Sequence, residues 1–159
     1  MVKWLTHRYT IFALRILLAL MFVWTGSAKF PDMKGFRGIV AMYGIIPDDW
    51  LWLSYLVPII ELVIAASLIP GIFCRFGASL SIFLVLIFIA FLMAGLFRGI
   101  SLGNCGCFGS WTSVPLSWRG VWEDVGFLLV SVLILVGDNS FLTVDGWFKR
   151  KRDRQAGKS

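Results

Sequence analysis

The residues with the chemistry to react lie late in the chain, in Gly103-Asn104-Cys105-Gly106-Cys107-Phe108-Gly109. Two thiols separated by one residue can close a small ring if the backbone bends sharply. Gly106, lacking a Cβ, can take the positive φ that such a bend needs. A ring that tight is strained, and strain raises the reduction potential, which makes an exchangeable bond rather than an inert staple. A structural bridge between such near neighbours closes almost no loop and gains little chain entropy. Two other accounts stay open on the residues alone: buried thiols packed as small hydrophobes, and metal binding shared across a dimer. Exchange requires a thiolate, which a nearby cation favours. Arg98 and Arg119 flank the loop, although each also has the ordinary role of an interfacial anchor at a helix end. His7 is the sole histidine, so no imidazole stands near the pair.

Other chemistries are poorly supplied. A tetrahedral zinc site takes about four N, S or O ligands, and one N-terminal histidine with two distant cysteines is a poor donor set within one protomer. No metal site is expected. A four-cysteine iron–sulfur cluster is excluded in a single chain, which has three cysteines. There is no Gly-rich phosphate loop, no GxSxG elbow and no HExxH.

The elements that must position the cysteines are set by composition. The chain has 159 residues, 58% hydrophobic and 15% charged, with a mean hydropathy of +0.83. So few charges cannot cover so much apolar surface, so the solvent of this chain is mostly lipid. Soluble enzymes, disordered regulators and nucleic-acid binders all fit poorly. The net charge of +6 sits at segment ends and in the tail, the distribution of a membrane protein. Spanning the hydrocarbon takes roughly 17–25 apolar residues as a helix. Residues 9–28, 50–72, 76–96 and 118–137 each approach that requirement. The first is read as a retained helix rather than a signal peptide, because its apolar run is long and residues 25–29 form a poor cleavage site. The last is the weakest, with Glu123 and Asp124 in its first turns, where a helix dipole at the lipid boundary suits acids.

The predicted architecture is therefore all-α: an integral membrane four-helix bundle over residues 1–148, with a basic cytoplasmic tail at 149–159. Its extracytoplasmic cysteine loop joins helices 3 and 4. With both termini cytoplasmic, nine basic residues lie inside and five outside, and the tail decides the orientation. The loop then faces the periplasm across a bacterial inner membrane, where disulfides persist. Trp24, Trp50, Trp52, Trp111, Trp118 and Trp122 gather at the outer interface, with Trp4 and Trp147 at the inner one. Residues 35–50 read as a short helix on the outer surface. The tail binds anionic lipid rather than nucleic acid. Cys74, in the turn after the second span, lies across a bilayer core of about 30 Å from the pair and is a bystander.

Two charges fall inside the spans. Glu61, in Pro58-Ile59-Ile60-Glu61, needs a partner, since a mid-bilayer carboxylate costs about 2.5–3.5 kcal/mol on insertion scales. Arg15 is the expected partner, in a pair that fixes helix register. The functional alternative is that Glu61 lines a quinone or proton pathway. Lys29, just past the first span, is expected to anchor at headgroups, with the cysteine loop as its other target.

These residues resemble the DoxX-like superfamily, and within it the MauE branch. Arg15 and the run to Gly26-Ser27-Ala28-Lys29-Phe30 resemble the family's first helix, Pro58 to Glu61 its second-helix motif, and Cys105-Gly106-Cys107-Phe108-Gly109 its cysteine signature. The resemblance implies a four-helix bundle of the sort used by quinone-coupled disulfide enzymes such as DsbB and vitamin K epoxide reductase. It also implies thioredoxin-like partners and a part in maturing the disulfide-rich small subunit of methylamine dehydrogenase. DoxX relatives imply thiosulfate:quinone oxidoreduction. The chain departs from the DsbB pattern in having one cysteine pair, not two. The expected function is a membrane thiol–disulfide oxidoreductase. In it Cys105 and Cys107 exchange with a periplasmic thioredoxin-like partner, a quinone is the terminal redox partner, and Gly106, Phe108, Gly109, Arg98, Arg119 and Lys29 support the site. Its rival is a non-enzymatic membrane assembly or maturation factor with a structural disulfide. Direction of electron flow and oligomeric state are not legible.

Overall fold

The computed structural model describes residues 8–71, 73–100, 103, 105–106 and 115–137, and among these no strand forms. Helix α1 spans Arg8–Lys29 and passes through a 3-10 turn, Phe30–Asp32, into α2, Met33–Met42. A turn and a 3-10 stretch, Asp48–Tyr55, lead to α3, Leu56–Leu68. Helix α4 spans Cys74–Phe97 and α5 spans Trp118–Val136.

Along α1 the buried positions include Ile11, Arg15, Leu18, Phe22, Gly26 and Lys29, a repeat of three and four residues that keeps one face inward, with Ala19 and Ala28 beside it. The outward faces of the helices are apolar too: Leu17 and Leu20 of α1, Val63 of α3, Phe83 and Leu86 of α4 and Leu129 of α5 are all exposed. Such a surface is stable against hydrocarbon, where a helix satisfies its own backbone groups. Three stretches, Tyr9–Met42, Asp48–Leu68 and Cys74–Phe97, are long and apolar enough to cross a membrane. The chain is a multi-pass membrane protein. Helix α5 falls outside those three, yet it packs extensively along α4 and also touches α1. Ser81 and Ser131 join α4 to α5 through their hydroxyls at 2.8 Å, and Ser131 in turn donates to the Phe127 carbonyl.

Local chemistry moves the boundaries from those expected. The helix foreseen over 50–72 is a 3-10 stretch followed by α3. Pro58, in the first turn of α3, lacks an N–H that would be unpaired there anyway. The surface helix foreseen over 35–50 is α2, which begins earlier because Asp32 caps it, accepting from the Gly35 N–H at 2.9 Å. It turns Phe36 and Val40 inward and Lys34 and Arg37 outward. It then ends at Gly44, where φ is +62°. The core runs through Leu18 and Phe22 of α1, Ile64 and Leu68 of α3, Leu84 and Val85 of α4, and Ile134 of α5.

Candidate functional site

Cys105 lies at 6% exposure in a small buried cluster with Leu92 and Val121, so the loop after α4 folds back onto α4 and α5. Its carbonyl accepts a hydrogen bond from the Tyr43 hydroxyl at 3.2 Å. Tyr43 reaches that position because Gly95 leaves space: a Cβ there would stand 2.7 Å from the Tyr43 ring. The ring meets Phe91 edge-on at 5.6 Å. Arg98 donates to the Tyr43 carbonyl at 2.8 Å and to that of Gly44 at 3.3 Å. It thus acts on the loop through Tyr43. Gly106 takes φ +79°, and a Cβ on it would meet Ile39 at 3.2 Å and Phe36 at 3.4 Å. Cys107, Phe108 and Gly109 lie outside the described residues.

Cys105 and Gly106 form one wall of a cavity of about 390 Å³ bounded by α2, the 3-10 stretch, α3 and α4. Its lining is almost wholly apolar and includes Phe36, Val40, Phe88 and Phe91. That size and character suit a small apolar ligand.

Behind this cavity lies an ion pair. Lys29 Nζ donates to both oxygens of Glu61, at 2.9 and 3.0 Å, and to the Thr25 carbonyl at 3.3 Å. The three ammonium protons thus have three acceptors. Lys29 is 0% exposed and Glu61 1%. The rings of Phe36 and Phe88, both lining the large cavity, have their centroids 5.6 Å from Nζ. On the far side, Glu61, Thr25 and Phe88 border a second cavity of about 30 Å³, together with Asp124 of α5. Asp124 is 6% exposed, and its Oδ2 accepts no hydrogen bond.

Four expectations are corrected. Glu61 pairs with Lys29, not with Arg15. The two cations stand 14 positions apart on α1, about 21 Å along the axis, and α3 meets α1 at the Lys29 end. Gly26 marks the approach, since a Cβ there would be 3.2 Å from the Glu61 Cβ. Arg15 instead lies buried at the other end, donating to the Cys74 sulfur at 3.7 Å and lying over the Phe12 ring. Lys29 is no headgroup anchor, being sealed inside the bundle. Arg119 turns outward, 84% exposed, to Glu123 at 2.9 Å. Asp124, read above as a boundary charge, points inward with Gly120, Val121 and Ser131. Tyr43 and Asp124 are the two residues that the sequence reading missed as parts of the site. The recurrence of Val121, Asp124, Ser131 and Ile134 at intervals of three and seven, one face of a helix, is the pattern that carried the signal for Asp124.

A helical bundle in lipid, with a buried ion pair behind an apolar cavity walled by a cysteine loop, defines a membrane protein built around an intramembrane polar site. The model of the family "Methylamine utilisation protein MauE" matches residues 7–137, and the chain belongs to the MauE family. It is 30% identical over 138 residues to the methylamine utilization protein MauE of Paracoccus denitrificans, covering 86% of this chain and 74% of that protein. No solved structure matches the chain.

Proposed function

We propose that this protein is a membrane thiol–disulfide oxidoreductase whose Cys105–Cys107 pair exchanges with a thioredoxin-like protein on the periplasmic face of a bacterial inner membrane. In this reading α5 is the fourth span and both termini are cytoplasmic. The observation that carries the reading is the position of Cys105 in the wall of the 390 Å³ apolar cavity. A cysteine serving only as core filler does not need a large cavity beside it.

Exchange begins when a Cys105 or Cys107 thiolate attacks one sulfur of the partner's disulfide. The partner's other sulfur leaves as a thiolate, and a mixed disulfide forms. The second cysteine of the pair then displaces the partner. Two electrons and two protons have passed from the pair to the partner, and the reverse sequence passes them back. The lining of the cavity fits a lipid-soluble quinone, which when bound supplies a two-electron, two-proton acceptor beside the pair. Phe36, Phe88 and Phe91 would hold its ring, and the Lys29–Glu61 pair keeps charge out of the cavity by neutralising itself. In this reading the exchange serves methylamine utilisation, the process named for the family, by maturing a disulfide-containing protein.

The burial of Cys105 favours a second reading, since buried structural cysteines are inert. There the loop is a local lock and the protein a non-enzymatic assembly or maturation factor. A redox titration with alkylation mass shifts at Cys105 and Cys107 separates the two. A reversible couple above about −300 mV supports exchange. Two thiols that never pair, with a Cys105→Ser/Cys107→Ser variant still supporting methylamine growth, overturn it.

A further inference from the structure

Exchange needs a base for the thiol, and none is evident beside Cys105 in sequence. The structure supplies a candidate in Asp124 of α5. Cys105 packs on Val121, one turn before Asp124 on the same inward face of α5. The Asp124 carboxylate and the Cys105 sulfur are within electrostatic range of each other. Asp124 is also more than nine-tenths buried, and its Oδ2 has no hydrogen-bond donor. A buried ionised oxygen without a donor is costly, and taking up a proton removes that cost. The adjoining cavity of about 30 Å³ is large enough for a water molecule against the Asp124 carboxyl.

We propose that Asp124 is the proton acceptor for Cys105, sharing one proton with its thiol across the interior of the bundle. This inference rests on the exchange reading for its purpose. In the step itself the sulfur–hydrogen bond of Cys105 breaks and an O–H bond forms on Asp124. The electron pair stays on sulfur as the thiolate, and the pair keeps a single negative charge throughout. The other charged groups facing Asp124 are few. Lys29 of α1 acts on it at range and is itself bound to Glu61 of α3, which borders the same cavity. Helix α4 contributes Val85 and Phe88, which carry no charge. On α5 itself, Glu123 adds a negative charge and is held by Arg119. Lys29 favours the carboxylate when the thiol holds the proton. Lys29 and Glu61 together carry no net charge, so the pair as a whole does not hold Asp124 permanently ionised.

The test is the pH profile of Cys105 alkylation by iodoacetamide, read by peptide mass spectrometry on reduced full-length protein in lipid nanodiscs. A Cys107→Ser background makes the signal specific to Cys105. A thiol and a carboxylate sharing a proton titrate as a pair, so the rate rises in two steps separated by a plateau. Asp124→Asn collapses the profile to one step, and Asp124→Glu restores two. A single step in the Asp124 protein, overlaid by that of Asp124→Asn, overturns the proposal. If Asp124→Asn does not fold, the two-step or one-step shape of the Asp124 protein decides by itself. Failure of Cys105 and Cys107 to form a disulfide would remove the exchange reading without altering this profile, so the two failures are distinguishable.

Discussion

Lys29 and Glu61 are joined by two hydrogen bonds, at 2.9 and 3.0 Å, in a place where neither is reached by solvent. The pair ties the end of α1 to the middle of α3, beside Phe88, which borders both cavities. Removing one member leaves the other buried and uncompensated. Lys29→Met and Glu61→Leu alone should each cost about 3–5 kcal/mol, while the double change recovers most of the loss. Thermal unfolding in detergent checks this, and a double variant as unstable as the sum of the singles would deny the coupling. Arg119→Ala, which breaks an exposed pair, should cost less than about 1 kcal/mol.

Gly26 is the contact point of α1 and α3. A Cβ there would press on the Glu61 Cβ and on Leu62 at 3.2 Å. Gly26→Val should overpack the seam by roughly 1–3 kcal/mol. Gly38, in α2, has nothing within 4 Å of a Cβ, so Gly38→Ala should stabilise by about 0.4–1 kcal/mol through the unfolded chain. Melting temperatures that move in the same direction would contradict the packing described.

Tyr43 holds the cysteine loop by its hydroxyl. Tyr43→Phe keeps the ring between Gly95 and Phe91 and removes the hydrogen bond to the Cys105 carbonyl, a loss of about 0.5–1.5 kcal/mol. Iodoacetamide should reach Cys105 several-fold faster in this variant. An unchanged rate would show that the loop is held by other contacts.

Ile87 lines the large cavity and is only partly buried. Ile87→Trp should fill part of that space with little effect on folding. Binding of a short-chain quinone analogue, followed by quenching of tryptophan fluorescence, should weaken tenfold or more. Binding at full strength would place the ligand outside this cavity.

Composition alone determined that the chain lives in lipid, because 15% charged residues cannot clothe 58% hydrophobic ones. The apolar runs and their breaks at Gly, Pro and charged residues located α1, α4 and α5 closely and α3 in part, since each helix satisfies its own backbone and so depends on local sequence. The need of Glu61 for a partner was equally legible, because a carboxylate in hydrocarbon has no cheaper option. Which cation answered was not. Arg15 and Lys29 lie on the same inward face of α1, and only the level at which α3 crosses, set by close approach at Gly26, chose Lys29. Asp124 went unread for a similar reason. An acid in a first turn suits the helix dipole by sequence, while the rotation of α5 against α4, fixed by small residues and the Ser81–Ser131 contact, turned it to the interior. The cavity beside Cys105 belongs wholly to the tertiary structure. Space between helices is a property of how α2, α3 and α4 diverge, and no single segment of the chain encodes it.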